Sequence, residues 1–176
     1  THVSLTGATE LMASLGIGET DVPLAVTQMV HIAALACVLL PGIPCGCTVV
    51  LLPAFDAAEA DDLIERWRCT FLLILPAMLR FMVEEQASRP REVSSMRLCM
   101  AGGDAVPVTL QERFQEYFGI RVREIFGMTE AVLVSCIREG EIRTGSMGRP
   151  LDLIDTRVVD LSTAETLGDL KNLIEG

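Results

Sequence analysis

From Val22 to Phe55 the chain runs for 34 residues without an Asp, Glu, Lys or Arg. A stretch so poor in charge must be buried, in a membrane or in a protein core. A spanning helix needs ~20 predominantly apolar residues in one regular segment. Here Pro23, Pro41, Gly42, Pro44, Gly46 and Pro53 divide the stretch into short pieces. No transmembrane segment is expected. The short apolar run Val22–Val26, the His31–Leu40 segment that is apolar nearly all round, and the β-branched run Thr48–Leu52 read as strand, buried helix and strand, with a turn at Gly42–Cys47.

The same alternation continues along the chain. Leu5, Ala8, Leu11, Met12 and Leu15 follow helical spacing until Gly16 and Gly18. Asp56 and Glu59 stand at capping-box spacing, with Ala60, Leu63, Ile64 and Trp67 on one face behind them. Thr70–Leu75 is a two-sided apolar run. Pro76 then suits a first helical turn, and Met78, Leu79, Met82 and Val83 form the stripe of that helix. Ala87–Ser95 is a polar loop. Arg97–Ala101 reads as a strand, Leu110, Phe114, Tyr117 and Phe118 as a helix face closed by Gly119, and Arg121–Phe126 as the next strand. Val132–Cys136 and Leu153–Val159 are further strands, separated by the turn Thr144–Pro150. Strands alternating with helices predict an α/β fold: a parallel βαβ sheet flanked by helices on both faces.

The 176 residues suit one globular unit or part of a larger one, and 50% apolar residues with a mean hydropathy of +0.42 supply an ample core. The net charge of −10 opposes phosphate backbones and anionic headgroups, so a nucleic-acid partner is excluded. Six cysteines scattered in apolar runs read as reduced core residues. The closest pair, Cys45-Gly46-Cys47, lacks a second ligand pair, because His2 and His31 are remote in sequence. Thr1–Ser14 has no basic start followed by an apolar block, and with the free thiols this predicts a cytoplasmic protein. Asp61, Asp62, Glu84, Glu85, Glu139 and Glu141 read as solvated faces and turns.

Ligands of parallel sheets lie at the carboxyl ends of strands, which directs attention to the loops after Ala101 and Phe126. Gly102-Gly103-Asp104 either serves turn geometry or lets a flat ligand approach the backbone. No later glycine completes G-x-G-x-x-G, which disfavours a nicotinamide dehydrogenase. Phe126-Gly127-Met128-Thr129-Glu130 places a ring, a glycine, a hydroxyl and a carboxylate together. Those groups could stack on a base, admit a ligand, donate to a phosphate oxygen and ligate Mg²⁺. They would serve equally as a turn with a core Phe and an exposed Glu. His31 opens the apolar helix either as a packing residue or as one that faces a ligand.

Phe126-Gly127-Met128-Thr129-Glu130 resembles the [YF]-G-[ML]-T-E motif of the adenylate-forming superfamily, which includes the AMP-forming acyl-CoA synthetases. Ala101–Pro107 resembles its glycine-rich adenine loop, Gly145–Pro150 its G-[ST]-x-G-x-P segment, Met29–Ala33 its P-x-[FY]-H segment and Gly46–Leu52 its G-[AC]-T-V-V-L strand. The resemblance implies that this chain is the central part of the large N-terminal domain of an acid–CoA ligase. Its substrates would be a carboxylic acid, ATP and CoA, with Mg²⁺, and AMP would be released. Gly102, Gly103 and Asp104 would line adenine and part of the acyl pocket, beside Glu124 and Ile125. Phe126 would stack on adenine with Gly127 and Met128 alongside, Thr129 would contact the α-phosphate, Glu130 would hold Mg²⁺, and His31 would border the reacting carboxylate. A fatty or aryl acid would suit the apolar pocket helix.

The family's P-K-G phosphate loop would come before Thr1, and its ribose-binding Asp, hinge and Lys-bearing lid would follow Gly176. The expectation is therefore a single α/β fragment over residues 1–176 that does not turn over acid, ATP and CoA alone. An adenylation domain that loads a carrier protein and a non-catalytic nucleotide- or acyl-binding module are the alternatives. Oligomeric state is not legible.

Overall fold

The computed structural model describes residues 6–169 apart from 8, 11, 14, 139, 142–144 and 153. The expected first helix depends on Leu5, Ala8 and Leu11, which lie outside the described residues. The described positions 6, 7, 9, 10, 12 and 13 are helical.

Strand β1 (Pro23–Ala25) leads into α1, a continuous helix built from Ile32–Ala34, a π-helical stretch Leu35–Leu39 and Leu40–Cys45. Then come β2 (Val50–Leu51), α2 (Ala57–Trp67), β3 (Phe71–Ile74), α3 (Pro76–Ser88), β4 (Leu98–Ala101), α4 (Val108–Phe118), β5 (Val122–Met128), β6 (Val132–Cys136) and β7 (Arg149–Pro150). A separate hairpin, β8 (Arg157–Val159) and β9 (Thr166–Asp169), ends the described chain.

The main sheet has the order β2-β1-β3-β4-β5-β6-β7. Its first five strands are parallel, with Leu24 opposite Val50 and Leu72, Leu72 opposite Cys99, and Ala101 opposite Glu124. The expectation of a wholly parallel sheet fails at β6 and β7, which are antiparallel. Only residues 129–131 join β5 to β6, far too few for the crossover that a parallel strand requires. Of the predicted strand Leu153–Val159, Leu153 lies outside the described residues, 154–156 are not strand, and Arg157–Val159 forms a strand outside the main sheet.

Period-2 alternation divides the core into two layers. Leu72 and Ile74 of β3, with Cys99 and Ala101 of β4, pack under α2, α3 and α4, whose Ile64, Leu79 and Phe114 are fully buried. Phe71 and Leu73, with Leu98 and Met100, face the other way onto Cys37 and Val38 of α1. Burial on both faces explains why these strands read as unbroken apolar runs. Asp56 caps α2, its Oδ1 accepting from the Glu59 N–H at 2.8 Å.

Helix α1 outruns its predicted end at Leu40, and the expected turn Gly42–Cys47 begins only at Gly46. The π-helical stretch closes with the Leu40 N–H on the Leu35 carbonyl. Pro41 follows directly on this widened turn, and Pro44 lies inside the last helical segment. Among the described residues no helix is long and apolar enough to cross a membrane.

Asp61 is not on a solvated face. It is fully buried on α2, and neither carboxyl oxygen has a hydrogen-bond partner. Nor is the polar loop wholly solvent-facing. Arg91 is buried, with Nε on Asp62 at 2.7 Å and Nη1 on Glu85 at 2.8 Å, while Gln86 brackets its backbone.

Candidate functional site

Strands β3, β4 and β5 end beside α1, and between them opens a cavity of about 260 Å³. Its floor is apolar and buried, formed by Cys37 of α1, Leu73 of β3 and Leu133 of β6. At its mouth stand His31, Met128 and Thr129, all exposed. Gly102, Gly103, Ile125 and Gly127 complete the wall toward β4 and β5. Six of the sequence-derived residues other than His31 are thus brought together: Gly102, Gly103, Ile125, Gly127, Met128 and Thr129.

Two of the glycines are required by crowding. A Cβ on Gly102 would meet the Ile125 side chain and its carbonyl oxygen at 2.6 Å, and one on Gly127 would collide with the Val132 carbonyl. Close backbone approach between β4, β5 and β6 is what shapes the wall, and side chains there would abolish it.

Alternation along β5 splits the motif. Ile125 and Gly127 face the cavity. Glu124 and Phe126 face the opposite side of the strand and are not among the cavity's lining residues. Phe126 pairs with Ser135 across the ladder, and a register shift follows it at Gly127. Phe126 is 36% exposed, on the strand face it shares with Glu124, which leaves its ring available for stacking.

Glu124 is buried and accepts hydrogen bonds from Gln111 Nε2 at 2.8 Å and from the Val106 N–H at 3.3 Å. Gln111 Nε2 also donates to the Val106 carbonyl at 3.0 Å. The Glu124 carboxylate therefore holds the loop that follows Gly103. Asp104 is exposed, and its Oδ1 accepts from the Ala105 N–H at 2.8 Å, outside the cavity.

His31 is the N-cap of α1, its Nδ1 accepting from the Ala33 N–H at 3.2 Å. With Nδ1 acting as an acceptor, a neutral ring carries its proton on Nε2, which makes that nitrogen a donor at the cavity mouth. Burial pushes the Cys37 thiol up to about 12, so the floor carries no charge.

Glu130 is exposed outside the cavity and, among the described residues, has no hydrogen-bond or ion-pair partner. Among the described residues no group of three His, Cys, Asp or Glu could hold a metal ion by itself. A lone free carboxylate does fit Mg²⁺ that arrives on phosphate oxygens, because this ion keeps several waters and takes only one or two carboxylates.

Sequence reasoning missed Thr27, Cys37 and Leu133 in the cavity and Gln111 behind the loop. Cys37 and Leu133 belong to apolar runs that look like core, and Thr27 directly follows another. Gln111 is recognisable only once α4 is folded against β5.

The family model described as AMP-binding enzyme matches residues 1–172. A 4-coumarate–CoA ligase 2 of Oryza sativa subsp. japonica is 30% identical, over 88% of this chain and 28% of its own length. A feruloyl-CoA synthase of an Amycolatopsis species is 30% identical, over 90% of this chain and 33% of its own. The chain spans about a third of the length of these curated relatives. Among solved structures, the anthranilate CoA ligase AuaEII in complex with anthranoyl-AMP superposes with a TM-score of 0.87 at 24% identity, over 96% of this chain and 33% of that one. A long-chain-fatty-acid-CoA ligase from Archaeoglobus fulgidus gives 0.86 at 22% identity, over 96% and 36%. These structures share the fold described above, and the match across nearly the whole sequence makes this chain a member of the AMP-binding enzyme family.

Proposed function

We propose that these residues form the acid- and adenine-binding wall of an AMP-forming acid–CoA ligase. The observation that carries this reading is the convergence of His31, Gly102, Gly103, Gly127 and Thr129 on one cavity at the carboxyl ends of β4 and β5. The names of the two relatives described above, a CoA ligase and a CoA synthase, support it. They also favour CoA over a carrier protein as the acceptor.

In this reading the acid lies in the cavity, and adenine lies across the Phe126 ring beside the loop held by Glu124. The two halves of an acyl-adenylate then meet over the end of β5, at Gly127–Thr129. A carboxylate oxygen attacks the α-phosphorus of ATP, the bond to the β-phosphate breaks and pyrophosphate leaves. A CoA thiolate then attacks the acyl carbon and AMP departs. The His31 Nε2–H donates to the carboxyl group at the mouth, and the Thr129 hydroxyl donates to an α-phosphate oxygen. Positioning and fixed donors of this kind lower the barrier without a protein nucleophile. Mg²⁺, held through Glu130, supplies neutralisation of phosphate charge when bound.

Turnover belongs to the whole protein, and the 176 residues alone are expected to form no thioester. The test is calorimetric titration of the chain with AMP and with a nonhydrolysable acyl-adenylate. Phe126→Ala should weaken both by roughly 1–3 kcal/mol, the worth of one base–aromatic stack. Thr129→Ala should weaken both as well, with far-UV circular dichroism unchanged in each variant. Unaltered affinity in both variants refutes the reading.

A further inference from the structure

The cavity also carries information about which acid it takes, an inference that rests on the reading that this is the acid's side of the site. Its polar groups are segregated: His31 and Thr129 stand at the mouth, while the floor of Cys37, Leu73 and Leu133 is apolar. Among the described residues, no Asp, Glu, Lys or Arg lines it. A second carboxylate on the substrate would therefore be desolvated with no cation to pair it, a penalty large enough to exclude it. The floor thiol cannot help, since burial keeps it protonated.

The floor also sets a length. Filled to the ~0.75 density of a protein interior, 260 Å³ holds a ligand of about ten heavy atoms. Leu73 and Leu133 are 4% and 1% exposed, with Cys37 at 5%, so the floor is made of core residues and not of mobile surface side chains. A long alkyl tail has no exit through it.

We infer that the acid is a compact monocarboxylate with an uncharged apolar body, a ring or a short branched chain. Its carboxylate lies at the His31–Thr129 mouth and its body on Cys37, Leu73 and Leu133. Cys37 is then a specificity-determining residue, because any side chain larger than a thiol at that position shortens the space available.

The test is a titration of the full chain, with Leu and Ile methyl groups and Phe rings isotopically labelled, monitored by nuclear magnetic resonance. Benzoate, succinate and tetradecanoate are the probes, and AMP is added in a parallel arm. Benzoate should move the Leu73 and Leu133 methyl resonances saturably. Succinate and tetradecanoate should need at least about tenfold higher concentrations for the same movement. Cys37→Phe should abolish the benzoate response while leaving the AMP response of the Phe126 ring. Should that variant not fold, Cys37→Ala gives the opposite readout, a gain for 2-naphthoate relative to benzoate. Half-saturation by succinate or tetradecanoate at or below that of benzoate overturns the inference, as does the absence of any benzoate response. An AMP arm that leaves Phe126 unmoved, with the benzoate response intact, refutes the nucleotide reading and leaves the acid assignment standing.

Discussion

A fully buried carboxyl group without a hydrogen-bond partner, as at Asp61, should make the stability of this fold depend on pH in an unusual direction. Burial is the dominant influence and pushes its pKa up from 3.8 to about 8. The Arg91 charge works against the rise, while Glu85 and Asp62 add to it. The folded chain therefore keeps this proton between pH 3.8 and about 8, whereas the unfolded chain releases it near 3.8. Over that window the unfolded state binds fewer protons, so stability falls as pH rises and levels off above about pH 8. One pKa unit corresponds to ~1.4 kcal/mol, so the loss between pH 5 and pH 8 is about 4 kcal/mol, a large part of a typical domain's stability.

Asp61→Asn keeps the shape of the side chain and removes the titration. The difference in unfolding free energy between wild type and Asp61→Asn, from urea unfolding at about pH 5 to about pH 9, should change by ~1.4 kcal/mol per pH unit and then flatten. Subtraction cancels the titrating groups that are not coupled to Asp61, among them Asp21, whose contribution has the opposite sign. Asp61→Leu, which replaces the unpartnered carboxyl with apolar volume, should exceed wild type in stability at pH 8 and above. A wild-type minus Asn difference that does not vary with pH would refute the reasoning.

Other residues make shorter predictions. Arg91→Met strips the buried cation from the solvent-reaching Asp62 and Glu85 and should cost about 1–3 kcal/mol, read as a shift in urea midpoint. Gln111→Leu leaves the buried Glu124 carboxylate with the Val106 N–H alone; a loss of ~1–3 kcal/mol in stability is expected, with weaker AMP binding because the loop after Gly103 is loosened. Gly102→Ala should destabilise by about 1–3 kcal/mol through its collision with Ile125, and Ile125→Ala in the same chain should recover part of that in a double-mutant cycle. For Asp21, burial acts to raise the pKa, but hydrogen bonds from Arg97, Thr70 and the Gly18 N–H outweigh it and hold the carboxyl below its ordinary value. Stability from this group is present above pH 3.8 and is lost as pH falls below it, so Asp21→Asn should show a smaller acid-induced fall in melting temperature than wild type.

Where one period dominated, the elements were legible. Thr70–Leu75 and Arg97–Ala101 became β3 and β4 because a strand covered on both faces needs an uninterrupted apolar run. Asp56 and Gly119 marked helix ends because capping is a local interaction. What could not be read depended on distance in space. The direction of β6 follows from a three-residue connection whose strand bounds were known only to within a few positions. Asp61 follows Ala60 and precedes Asp62 in a helix of alternating character, and nothing local says which of two adjacent carboxylates turns inward. The site shows the same division. Gly102, Gly127 and Thr129 were recognisable as a motif, whereas the placement of Glu124 behind the loop depends on Gln111, 13 residues earlier and on another element.

The charge distribution argues for one more behaviour of the isolated chain. The chain carries a formal net charge of −10, and among the described residues no Lys or Arg lines the cavity. The groups that converge on the end of β5 are hydroxyl, imidazole and backbone, which suit one phosphate beside a carboxyl group. Each further phosphate adds negative charge that nothing lining the cavity neutralises, and the overall field opposes its approach. AMP should therefore bind these 176 residues at least as tightly as ATP does at equal ionic strength, and the ATP affinity should improve on adding Mg²⁺ while that of AMP changes little. Glu130→Gln should remove that Mg²⁺-dependent gain and leave AMP binding intact. Calorimetry with the two nucleotides decides the point: ATP binding tenfold tighter than AMP without Mg²⁺ would mean that cations outside the cavity reach the β- and γ-phosphates, and the electrostatic account would fail.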